Sequence, residues 1–147
     1  MSTIQITSEC LQRIRIHSEL MYPNEGCGLL FSEEQNSDER VLLGSAVGII
    51  NRKESETARK AYLISPRDLI RAETEYRRKG VLISGIFHSH PDKPAVPSEE
   101  DGNWMIPGIV YGILPVYGGT AGNIRFWMKR SADEKPTELF AEAQKKE

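Results

Sequence analysis

Residues 81–87 read VLISGIF, a strand-length run without a charged side chain, and it ends directly on His88-Ser89-His90. A run that is apolar at consecutive positions, rather than at every second one, belongs in a sheet covered on both faces. The chain must therefore supply helices to lie across that sheet. Two segments have the pattern. In TSECLQRIRIHSELMYP, Thr7 or Ser8 is placed to cap a helix whose inward positions are Leu11, Ile14 and Leu20, and Pro23 stops it. In SPRDLIRAETEYRRKG, Ser65 is an N-cap, Pro66 takes the first helical position and Asp68 the third. That helix runs to about Lys79, with Gly80 as the natural residue beyond its end. It presents Leu69, Ala72 and Tyr76 inward, with Ile70 beside them.

Around these elements the sequence predicts further strands. GCGLLF (26–31) and VLLGSAVGII (41–50) read as an antiparallel pair across a polar turn, and AYLI (61–64) as a short strand after the polar loop 51–60. IVYGILPVY (109–117) and NIRFWMK (123–129) are two more, joined by a Gly-rich turn. A short helix is expected after Ser98, and another in the tail, KPTELFAEAQKKE. The implied class is α/β: a single mixed β-sheet flanked by helices. The chain's 147 residues suit one domain, spanning 1–130 with 131–147 as a tail. At that size folding buries about 70% of the unfolded surface, enough for a core without staples.

Composition narrows the function. Nineteen basic against 21 acidic residues give a net charge of −2, and the short basic runs Arg77-Arg78-Lys79 and Lys145-Lys146 are interleaved with acids. No concentrated basic face is available for nucleic acid. The apolar runs are far shorter than the ~18 residues a membrane span needs, and no signal-peptide pattern is visible at the N-terminus. Two cysteines, Cys10 and Cys27, are too few for a disulfide scaffold or a cysteine zinc site, so a cytoplasmic, reducing setting is expected. Two apolar strands near a sheet edge leave a homodimer open.

The chemistry sits where the uncharged strand ends. Strand residues i and i+2 share a face, so His88 and His90 present two imidazoles together while Ser89 points away. Two ring nitrogens are half of a tetrahedral zinc site. Asp101 is the nearest strong candidate for a third ligand, reached through a loop stiffened by Pro91, Pro94 and Pro97. Each of these residues also has an ordinary reading. A His-x-His pair occurs on many strands. Ser98 and Asp101 fit a capping box, with Glu99 and Glu100 complementing the helix dipole. Asp92 and Glu25 both read as turn residues. Cys27 reads as buried and inert, and His17 as a surface histidine.

Taken together the pattern is His88-x-His90-x7-Ser98-x2-Asp101, about sixty residues after Glu25 in the run PNEGCGLL. This arrangement resembles the JAMM (MPN+) metalloprotease family. Gly85-Ile86-Phe87 before the histidines and Pro91 and Pro97 after them resemble the family's strand and loop, and the resemblance covers about residues 3 to 130. It implies that His88, His90 and Asp101 ligate one zinc ion. It implies that Glu25 holds and deprotonates the water completing the coordination, and that Ser98 donates to the forming oxyanion. It implies a peptidase or isopeptidase cutting after the C-terminal Gly-Gly of a ubiquitin-like protein. The short connections resemble the compact prokaryotic members, which act on ubiquitin-like sulfur carriers. Residues 51–60 and Trp104–Pro107 are candidates for the substrate groove. Two other classes stand beside this one: a non-catalytic binding module of the same type, and a zinc hydrolase of small molecules. The family's fold resembles that of the nucleobase deaminases, but the Cys-x-x-Cys pair those enzymes use is missing here.

Overall fold

The structure is a computed structural model that describes residues 3–33 and 40–143. In chain order its elements are β1 (Thr3–Ile6), α1 (Ser8–Met21), β2 (Cys27–Glu33), β3 (Arg40–Leu43), β4 (Ser45–Ile49), α2 (Pro66–Arg77), β5 (Val81–Pro91), α3 (Glu99–Trp104), β6 (Val110–Tyr117), β7 (Thr120–Ala121), β8 (Arg125–Met128), β9 (Thr137–Leu139) and β10 (Ala141–Ala143). The main sheet has the order β4-β2-β5-β6-β8-β9, with β7 folded back on β6. It is mixed: β2 runs antiparallel to β5, and β6 parallel to it. The uncharged strand β5 is thus interior, paired along both edges. A small parallel sheet, β10-β1-β3, lies apart from this ladder.

Both faces of the main sheet are covered. Alternate residues of β2 divide between two clusters. Leu30 packs with Ile4, Ile6, Cys10, Ile14 and Leu43, the side of α1 and the small sheet. Leu29 and Phe31 pack with Ala72 and Tyr76 of α2, where the Phe31 and Tyr76 rings stack at 4.1 Å. Strand β5 divides the same way: Phe87 faces α1 and Ile86 faces α2. With a side-chain period of two, His88 and His90 fall on the α2 face.

The helix starts follow local rules. Thr7 Oγ1 accepts from Cys10 N, and Ser65 Oγ from Asp68 N with Pro66 in the first turn. Gly80 takes the left-handed conformation expected after α2, with φ of 81°. The inward faces differ in part. Cys10, Ile14 and Ser18 are the buried positions of α1, a stripe that leaves Leu20 72% exposed. On α2, Ile70 points outward at 64% exposure. His17 is half-buried rather than a free surface residue. Its ring meets the Phe87 ring edge-on at 6.1 Å, and a Cβ on Gly48 would run into it. Burial accordingly lowers its pKa.

Three expectations about strands are corrected. VLLGSAVGII is two strands, not one: Leu43 O accepts from Thr7 N beside β1, while Gly44 N turns to Phe31 O of β2. AYLI joins no ladder: Ala61 O and Leu63 N are taken by the Asn51 side chain, and Leu63 O by Arg52 N. The tail is not helical over the described residues. Thr137–Leu139 pairs with β8 and Ala141–Ala143 with β1. Leu139 reaches the core while Phe140 stays exposed, the alternation of a strand. The polar turn expected before β3 lies largely outside the described residues, as do the last four residues of the tail.

Candidate metal centre

The ligand geometry begins with β5. His88 and His90 are almost completely buried, at 1% and 3% exposure. Their Nε2 atoms converge to 3.2 Å. The proline-rich loop returns to the sheet and starts α3, whose third residue is Asp101. Its Oδ2 lies 3.2 Å from His88 Nε2 and 3.0 Å from His90 Nε2. One ligand atom from each residue fits within 4.8 Å, the group among the described residues that could hold a metal ion. Ligands about 2.05 Å from a tetrahedral ion stand about 3.3 Å apart, so these edges match such a site.

The donor set also calls for a cation. His90 Nδ1 lies 2.8 Å from the Pro94 carbonyl oxygen, which can only accept. As a metal ligand the ring would keep its proton on Nδ1 and turn the Nε2 lone pair toward a carboxylate oxygen. Two acceptors at 3.0 Å need a proton or a positive ion between them. Burial lowers the His88 pKa although hydrogen bonding to Asp101 opposes it, which favours a neutral imidazole. At Asp101 burial acts to raise the pKa. The two imidazoles beside it and the hydrogen bond from Ser98 N outweigh it and hold the carboxyl far below the usual range.

Helix α3 realises the capping box in full. Ser98 Oγ accepts from Asp101 N at 3.0 Å, and Asp101 Oδ2 accepts from Ser98 N at 2.9 Å. The capping bond uses an Oγ lone pair and leaves the hydroxyl proton free to donate elsewhere. Capping and donation to a substrate oxygen are therefore compatible in Ser98.

Glu25 enters through strand register. Cys27 pairs with His88. Ser89 N donates to Gly26 O at 2.9 Å, and Gly26 N donates to Ser89 Oγ at 2.7 Å. One residue before this junction is Glu25, whose carboxyl is close enough to feel the Asp101 charge. It is 1% exposed, and its Oε1 has no hydrogen-bond partner among the described residues. Burial, with the Asp101 charge nearby as a second cause, pushes its pKa up to about 8. A buried carboxyl of that strength can exchange a proton near neutral pH. Cys27 is buried with its thiol pushed up to about 12 by burial, unfit as a nucleophile. Asp92 stands apart from the ligand group and does the work of a turn residue: it accepts from Tyr22 Oη at 2.7 Å and from Gly118 N at 2.8 Å.

A groove of about 340 Å³ opens beside the ligands, lined by Lys53, Tyr62, Leu63, Glu100, Trp104 and Tyr111 among others. Both segments expected to border a groove reach it, through Lys53 and Trp104. Three residues near the centre do not stand out in the sequence. Ser89 locks Gly26 to β5, Tyr62 stacks on the His88 ring at 4.6 Å, and Asn51 bonds to Glu25 O. No local pattern marks Tyr62 or Asn51; both act across the fold.

The family described as prokaryotic homologs of the JAB domain matches residues 7–130. A Thermus thermophilus protein named "Probable TtuB-protein conjugate cleaving protease" is 32% identical over 105 residues. The alignment covers 69% of this chain and 65% of that protein, so the chain spans just under two thirds of its relative's length. Among solved structures, a protein from Desulfitobacterium hafniense superposes with a TM-score of 0.83 at 23% identity, covering 98% of this chain and 94% of that one. One from Salinibacter ruber gives 0.71 at 27%, covering 94% and 91%. A JAB1/MPN domain protein from Archaeoglobus fulgidus shares the fold, with a TM-score of 0.55 at 17% identity over 96% and 99%.

Proposed function

The chain belongs to the family of prokaryotic homologs of the JAB domain, and from that premise we propose that it is a zinc-dependent peptidase. The bond cut is the amide after the C-terminal Gly-Gly of a ubiquitin-like sulfur-carrier protein, free or conjugated. One observation carries this reading: two buried imidazoles and one carboxylate converge within 4.8 Å, near a buried glutamate whose Oε1 has no hydrogen-bond partner among the described residues. The name of the Thermus thermophilus relative supports the substrate class. Two free, buried cysteines suit a cytoplasmic setting.

His88 Nε2, His90 Nε2 and Asp101 Oδ2 would hold the zinc, leaving a position open as in catalytic sites. The ion, when bound, supplies Lewis acidity and lowers the pKa of water to about 7. Glu25 takes a proton from the attacking water as its oxygen adds to the scissile carbonyl. Ser98 Oγ–H donates to the carbonyl oxygen as negative charge develops there. Glu25 then gives the proton to the departing nitrogen as the C–N bond breaks. The carrier's tail runs along the groove past Tyr62 and Leu63, where Ala61–Ile64 is extended without a ladder of its own. The Asn51 and Arg52 bonds engage Ala61 and Leu63 and leave the backbone of Tyr62 and Ile64 for recognition by strand addition, and glycines in the tail would allow close approach to the ligands.

The test is incubation with a carrier ending in Gly-Gly plus one further residue, read by mass spectrometry, with nucleosides and short peptides in parallel. Release of that residue by the wild type is expected. Glu25→Ala should keep one zinc per chain and lose cleavage; unchanged turnover in that variant refutes the mechanism. Deamination of a nucleoside would move the protein to the small-molecule class. Absence of zinc after supplementation would move it to the binding modules.

A further inference from the structure

We infer that Asn51 is a positioning residue of this site: its amide holds the loop carrying Glu25 and the extended segment carrying Tyr62 in one fixed relation. The inference rests on the peptidase reading above. Asn51 immediately follows the run that ends in β4, and its side chain reaches three separate stretches of backbone. Nδ2 donates to Glu25 O and to Ala61 O, each at 3.0 Å. Oδ1 accepts from Lys53 N at 3.0 Å and from Leu63 N at 3.1 Å. A carboxamide has two donor hydrogens and two acceptor lone pairs, so this one is saturated.

Both ends of that network reach the reacting groups. Metal-binding histidines are ordinarily oriented through their second ring nitrogen. His90 has that support from the Pro94 carbonyl, but His88 Nδ1 is buried without a hydrogen-bond partner among the described residues. The Tyr62 ring stacked on His88 does the orienting instead. Tyr62 sits between Ala61 and Leu63, the two residues Asn51 grips. At the other end, the Glu25 carboxyl has an unpartnered oxygen, so its place depends on its backbone. That backbone is tied by Asn51 at its carbonyl and by Ala58 O at its N–H, 2.6 Å away. Asn51 thus sets the base and one ligand relative to each other without touching substrate or metal.

Two variants test this in the full-length protein loaded with zinc. Asn51→Leu removes all four bonds at similar volume. Its kcat should fall about 10²-fold with KM little changed, the usual cost of misplacing a reacting group by an ångström. Its zinc affinity, measured by competition with a chromophoric chelator, should weaken about 10–100-fold. Asn51→Asp keeps the two acceptor bonds and loses the two donors. It should retain slow amide exchange at Lys53 and Leu63 yet still lose kcat. Leu139→Ala, a core change remote from the site, controls for instability and should leave kcat intact. Wild-type kcat in Asn51→Leu or Asn51→Asp overturns the inference, as does an equal loss in the Leu139 control. Should the wild type cleave no carrier, the peptidase reading fails, and zinc affinity decides for Asn51: an unchanged value in Asn51→Leu overturns the positioning role.

Discussion

Replacing Glu25 by glutamine should make the metal-free protein more stable while ending its catalysis. Burial raises the Glu25 pKa from 4.5 to about 8, so the folded state binds that proton more tightly than the unfolded chain. Stability is fully present below about pH 4.5 and is lost as pH rises toward 8. At about 1.4 kcal/mol per pH unit the complete loss is on the order of 5 kcal/mol, and at pH 7 about 3 kcal/mol. A neutral amide of the same shape escapes this penalty. The experiment is urea unfolding of wild type and Glu25→Gln in chelator at pH 5, 7 and 8.5, comparing midpoints at equal slope. Other titrating groups are common to both proteins, so the difference isolates position 25. It should be small at pH 5 and grow steadily toward pH 8.5 in favour of the variant. A difference that stays flat with pH, or a wild type that is the more stable at pH 8.5, would show that the carboxyl is not held in a desolvated site.

Two further substitutions probe neighbouring parts of the argument. Ser98→Ala should lower kcat about 10²–10³-fold and, by removing the cap of α3, cost about 1 kcal/mol of stability in urea unfolding. Zinc content should stay near one per chain. Gly28→Ala should destabilise more than Gly48→Ala, because its Cβ meets the Val47 carbonyl oxygen and the Phe87 ring, whereas at Gly48 the obstacle is the His17 ring. Overpacking of this kind costs about 1–3 kcal/mol. In thermal denaturation a second change, His17→Ala, should recover part of the loss for Gly48→Ala and none for Gly28→Ala.

What could be read from the sequence was local. The caps at Thr7, Ser65 and Ser98, the stop at Pro23 and the turn at Gly80 depend on neighbours within four residues, and all appear in the fold. The shared face of His88 and His90 follows from the period of a strand. Glu25 is the limiting case: its own neighbours describe a turn, and only the pairing of β2 with β5, which sets Cys27 opposite His88, brings the start of β2 to the ligand end of β5. The misreadings were non-local. AYLI has strand composition, but the Asn51 side chain takes Ala61 O and Leu63 N in place of a ladder. The tail forms strands because β8 and β1 offer open edges, which no property of KPTELFAEAQKKE announces. His17 looked like one more polar residue on a helix; the glycine at position 48 opens the space it fills.

The three candidate metal ligands stand on supports of very unequal firmness. Two belong to an interior strand bonded along both edges, where release would require breaking the sheet. The third belongs to α3, six residues long with none of them buried, fastened from outside by Lys129 Nζ on Gly102 O at 2.8 Å. Local opening of the group would therefore begin at α3, the support with the least burial, while the sheet holds the imidazole pair. Substitutions in those six residues would then change the hold on the carboxylate alone and leave the core undisturbed.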